Sequence, residues 1–269
     1  MLFFGGDAWF QGLVQRFLED GRASVVSKVL GAVVLGLSLL LAACALVPPQ
    51  EARSNAALPQ KIDDGVERQW WAARFRVYWP LAVEEPDWAA DHLLAHAVVA
   101  PVLETYAPRI PLWRFHRRAA RDAAGHQFSF IFYSDAVTAE SVLSTLEKQP
   151  ATQVMLAAGF VEKFHEYSSA YPQREQVQAT SDKSWSPSMQ RNWPVYIMGV
   201  SALWLGLIDE QASTASRPTD AAGLLRHYRS VGEKMNAQWR EEGLHALIHH
   251  LSATFGYVPL PVGEQEVRF

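Results

Sequence analysis

The chain has 269 residues, 49% of them hydrophobic and 19% charged, with a formal net charge of −4. Such a balance offers no strong field for nucleic acid or anionic lipid, and the single cysteine, Cys44, excludes an intrachain disulfide. Residues 1–43 carry three basic and three acidic groups, so their removal would leave the charge at −4.

From the amino terminus, Asp7, Glu19 and Asp20 sit badly in the positive region of a signal peptide, and the next methionine after Met1 is Met155. Translation is therefore expected to start at a non-AUG codon near Val25 or Val26, leaving residues 1–24 untranslated. Lys28 is followed by Val29 to Ala43, fifteen residues without a charge. A membrane span needs about 20. A basic residue, a short apolar run, small residues and a return to polarity make a secretory signal. An uncleaved anchor is the alternative.

Leu41-Ala42-Ala43-Cys44 closes that run and resembles the lipobox of bacterial lipoproteins, over roughly residues 28–45. The resemblance implies a diacylglyceryl (palmitate-type) group on Cys44, cleavage before it, and acylation of the new amino terminus. Ala45, where Asp would signal retention in the inner membrane, implies the outer membrane, facing the periplasm. Two or more acyl chains give stable anchoring. Residues 44–66, with Pro48, Pro49 and Pro59, form a lipidated tether without a sustained apolar period.

The exported part then divides into an α+β domain, 67–167, and a loop with a helical extension packed on it, 168–269. Phe75, Val77 and Trp79 alternate with Arg74, Arg76 and Tyr78, predicting a half-buried strand over 70–79. Pro86-Asp87 opens a helix carrying Trp88, Ala95, Val99, Val102 and Tyr106 on one face, kinked or split by Pro101. Two strands, 112–117 and 126–133, flank the turn Asp122–Gly125. Asp135 caps a helix ended by Pro150, a short apolar segment follows, and 160–167 is a fourth strand. The order β-α-β-β-α-β predicts a ferredoxin-like core. After a polar loop over 168–186, helices are predicted at 193–209, 219–238 and 241–255, then a Pro-containing tail.

Trp193 to Ile208 holds sixteen uncharged residues. A buried core helix is the first expectation and a partner- or membrane-contacting helix the alternative. His245 and His249, like His92 and His96, stand i, i+4, a spacing zinc ligands use. Ala246 replaces the Glu of a His-Glu-x-x-His protease. The first pair reads as solvated and His92 as a hydrogen-bonded boundary residue, so no metal is expected. Gly199-Val-Ser201-Ala-Leu203 lacks the last glycine of a nucleophile elbow. Ser230 and Lys234 lack the Ser-x-x-Lys spacing, and Cys44 is consumed by lipid.

The most specific ligand suggestion is the outward sheet face, where Arg74, Arg76, Arg114 and His116 gather with Tyr78, Gln127, Ser129 and Tyr133. Guanidinium groups there suit a small anionic ligand, unless C-terminal helices cover the face. Without a complete catalytic set or any cofactor motif, binding or assembly with an envelope protein or a small ligand is the leading expectation. An envelope hydrolase built from scattered His and acidic residues is the alternative.

Overall fold

The computed structural model describes residues 65–167, 175–213, 218–262 and 265–267, all within one compact unit. The apolar run, Cys44 and the tether up to residue 64 lie outside the described residues.

The architecture is α+β. Four strands, β1 (Gln69–Val77), β2 (Leu112–Ala119), β3 (His126–Ser134) and β4 (Val161–Tyr167), make an antiparallel sheet in the order β2-β3-β1-β4. Between β1 and β2 runs α1, through Ala89–Leu93, a π-helical turn Leu94–Val99 and Ala100–Tyr106. Asp87 Oδ1 accepts the Ala89 N–H at 3.1 Å and so opens it. Pro101 has no N–H to donate and its ring crowds the carbonyl four residues back. The helix meets this by widening into the π turn just upstream, rather than by the expected kink or split.

Between β3 and β4 lie α2 (Ala136–Lys148) and α3 (Pro150–Ala157). Asp135 accepts the Thr138 N–H at 2.8 Å and caps α2. Pro150 both stops α2 and starts α3, where a missing N–H costs nothing. The segment expected to be merely apolar is thus a helix.

The second half also departs from expectation in its boundaries. Val177–Thr180 forms a 3-10 turn inside the expected loop, and α4 spans Pro187–Ala212, starting before residue 193. Pro194 lies inside α4 and leaves the Gln190 carbonyl without its helical donor; the Ser181 hydroxyl donates to it at 2.7 Å instead. The two helices expected over 219–238 and 241–255 are one: α5 (Ala221–Gly243) continues through a π turn, Leu244–His249, into His250–Thr254. The tail carries a small hairpin, β5 (Leu260–Val262) with β6 (Gln265–Val267).

One face of the sheet carries the main core. Phe75, Phe115, Phe128 and Phe130 are buried there with Leu94 and Val98 of α1 and Leu146 of α2. Each large aromatic ring removes much apolar surface from water. The other face has its own cluster, Trp70, Ala72, Leu112, Ile131, Tyr133 and Val177, closed by Val195 and Met198 of α4. Trp70 Nε1 donates to the Val177 carbonyl at 3.0 Å, and the Tyr133 hydroxyl donates to the Glu175 carbonyl. So the C-terminal part does cover the Trp70, Leu112 and Tyr133 end of that face.

α4 reaches both faces because it runs along the free edge of β2. Its first half closes the outer cluster while Trp204 and Ile208 join the main core. At the crossing, Ser201 Oγ accepts the Phe115 N–H at 3.1 Å and donates to the Ile197 carbonyl at 2.8 Å. An edge strand otherwise presents unpaired backbone groups, and Ser201 satisfies one. The core-helix expectation for 193–208 is corrected by this placement. Within α4 only Pro194, Ser201, Ile208 and Ala212 are buried, and Tyr196, Val200 and Leu203 are 47%, 43% and 44% exposed. No helix among the described residues is long and apolar enough to cross a membrane.

Candidate functional site

Three helices and the β2 edge enclose a groove of about 700 Å³, within the size range of small-molecule sites. Trp88 and His92 enter it from the first turns of α1, and Arg117 from the core-facing side of β2. Val200, Leu203, Trp204 and Leu207 recur on α4 at helical spacing and form one wall. Trp239, Met235 and Leu247 of α5 and its continuation form the other.

Gly243 shapes that second wall. The Trp239 indole lies flat over it, so that a Cβ there would meet Trp239 Cε3 at 2.6 Å. Deeper in, Gly232 lets α5 approach α1, since a Cβ would meet His92 Cε1 at 3.0 Å. The close approach at Gly232 requires glycine.

At the floor, the Arg117 guanidinium lies between two indoles, 4.8 Å from the ring centroid of Trp88 and 4.8 Å from that of Trp204. Both are cation–π contacts, stronger for being partly dry. Arg117 Nε donates to Asp91 Oδ2 at 2.7 Å, and His126 Nε2 donates to Asp91 Oδ1 at 2.9 Å. Asp91 and His126 are fully buried, while the Arg117 side chain keeps 30% of its surface. Burying a carboxylate is costly unless paired; here two donors meet its two oxygens.

His92 is 6% exposed, and its Nδ1 has no hydrogen-bond partner among the described residues. Burial, and then the Arg117 charge, push its imidazole down to about 4. It is therefore uncharged at neutral pH. His96 is clamped instead: Nδ1 meets the Tyr228 hydroxyl at 2.7 Å and Nε2 meets Asp209 Oδ1 at 3.0 Å. That imidazole ties α1 to α4 and α5.

No family model, curated protein or solved structure matches this chain.

The residues singled out from sequence are partly brought together. Arg74 and His116 both stand opposite Ser129, so the three form one row across the sheet, with Arg114 in the next row. The His116 imidazole is held below its ordinary value by desolvation first, then by Arg114, Arg74 and Arg118, although part of the ring is open to solvent. Arg76 is drawn away from them: Nε pairs with Glu162 Oε2 at 2.8 Å and Nη1 donates to the Ala123 carbonyl at 3.1 Å. Tyr133 is buried beneath residues 175–177 rather than displayed. Tyr78 lies past the strand end, exposed.

His92 is buried rather than at a boundary, its ring packed against Trp204 and Gly232. His245 is exposed and stacks on His249, with ring centroids 5.2 Å apart. His249 Nε2 also meets the Tyr257 hydroxyl at 3.2 Å. Among the described residues no group of three or more His, Cys, Asp or Glu is placed to hold a metal ion.

Sequence reasoning missed the groove floor entirely. Asp91 directly precedes His92, the first histidine of α1, and Arg117 and His126 lie at the ends of the two expected strands. The available signal was chemical: an acid at a position bounded by apolar residues, Ala89, Ala90, Leu93 and Leu94, must find a buried cation.

Proposed function

We propose that this is a lipid-anchored protein of the bacterial envelope, held at Cys44, which binds a ligand through the groove between α1, α4 and α5 and does not catalyse a reaction. Its core takes the ferredoxin-like βαββαβ topology. Supporting that topology are the element order and the antiparallel sequence β4-β1-β3-β2, in which each outer strand is joined to its parallel counterpart through a helix.

The groove carries the binding reading. An apolar cavity with a few fixed polar groups is the usual form of a ligand site. The two imidazole–carboxylate pairs nearby fix the fold: His126–Asp91 orients Arg117, and His96–Asp209 joins helices. Among the described residues, neither imidazole has a serine or threonine hydroxyl as a hydrogen-bond partner.

Two experiments test the proposal. For the anchor, cells fed labelled palmitate incorporate label into the wild-type chain and not into Cys44→Ser; equal labelling of both refutes lipidation there. For the site, a photoreactive amino acid at Leu203 captures a bound species in cells, whereas one at Val137, an exposed residue of α2 outside the groove, does not. Equal capture at both positions, or none at Leu203, removes the groove as the binding surface.

A further inference from the structure

Resting on the reading of the groove as the binding site, we infer that its ligand is an uncharged amphipathic molecule, with an aromatic or aliphatic body and a carbonyl-type acceptor as its head. The charge inventory excludes an anion. Arg117 brings one positive charge to the floor, and Asp91, 2.7 Å away and fully buried, cancels it. His92 is uncharged at neutral pH, so it supplies no second cation. The remaining ionisable group of the lining is Glu242, an acid. A free carboxylate or sulfonate would enter a groove whose charges already sum to negative, and an anion taken from water without a compensating cation is costly.

A neutral acceptor fits the same atoms. With Nε committed to Asp91 and the guanidinium carbon 4.8 Å from the ring centroids of both Trp88 and Trp204, the Nη fork is the part of Arg117 left to donate. A carbonyl oxygen accepts from that fork without adding charge. A second polar feature is His92, buried, lining the groove and with no hydrogen-bond partner for Nδ1 among the described residues. Around these, Trp88, Trp204 and Trp239 with Leu203, Leu207 and Val200 offer the body a mainly apolar wall, with Asn236, Gln238 and Glu242 on the α5 side. Asp91 and His126 act through Arg117 as positioning residues: they hold its Nε edge and so aim the fork.

The test titrates the purified full-length chain with two fluorophores of similar size, Prodan (a neutral naphthalene ketone) and ANS (an anionic naphthalene sulfonate). Prodan is expected to bind at one saturable site with blue-shifted emission and ANS to bind about tenfold or more weakly, as a charge without a partner must. Arg117→Lys keeps the charge opposite Asp91 but removes the fork, and should weaken Prodan by about tenfold, one hydrogen bond to a charged donor. Leu203→Glu alters an exposed position and should weaken both probes. Tighter binding of ANS than of Prodan, with Arg117→Lys indifferent, overturns the ligand class while leaving the groove as the site. Probe binding untouched by Leu203→Glu overturns the groove itself.

Discussion

Asp91 holds the most consequential position among the side chains. It is fully buried, and its two oxygens carry the guanidinium of Arg117 and the imidazole of His126. Asp91→Asn keeps an acceptor but leaves the Arg117 charge uncompensated, and should cost roughly 3–5 kcal/mol in urea denaturation. Replacing both members, Asp91→Leu with Arg117→Met, should recover part of that loss, because an apolar pair of similar volume has no charge to desolvate. His92 gives a pH signature. Its folded value, about 4, lies below the ordinary 6.5, so between these values the unfolded chain binds the extra proton. Stability from this group is complete above about pH 6.5 and drains away as pH falls towards 4, by roughly 3 kcal/mol in all. Urea midpoints at pH 7 and pH 4.5 should differ less in His92→Leu than in the wild type; an equal difference would assign the acid sensitivity elsewhere.

Between residue and molecule, α4 is the element that makes the site. It is strapped to the β2 edge by Ser201, and removing that hydroxyl leaves the buried Phe115 N–H unsatisfied. Ser201→Ala should therefore destabilise the protein by about 1–3 kcal/mol and speed hydrogen exchange along β2. Gly243→Ala tests the opposite wall. A Cβ forces the Trp239 ring to move, and since that ring is 56% exposed it can do so cheaply. The expected outcome is weakened groove binding with an almost unchanged unfolding midpoint. Helices and strands were largely readable, because alternation in 74–79 and the caps Asp87 and Asp135 are local signals. The burial of α4 was not. Sixteen uncharged residues announce a helix, but whether Val200 and Leu203 face a core depends on which elements lie beside them. The π turn before Pro101 and the Ser181 repair at Pro194 are likewise responses of the backbone to a proline whose position, though not whose remedy, is visible in sequence.

At the scale of the whole molecule, the site is assembled from parts far apart along the chain. Arg117 and Asp91 are separated by 26 residues, His126 and Asp91 by 35, and His96 and Asp209 by 113. No local pattern links them, which is why the arginines of the outer sheet face, adjacent in register, drew attention while the groove did not. If Cys44 carries the proposed lipid, a folded domain with a mainly apolar groove works at a membrane surface, where apolar uncharged molecules concentrate. The most direct measurement is native mass spectrometry of the protein extracted from its own membrane. Wild type should carry, beyond the acylated polypeptide, a noncovalent small molecule that dissociates as a neutral species and is absent from Leu203→Glu. Identical masses for the two, each matching the acylated chain alone, would contradict the claim that this groove holds a ligand.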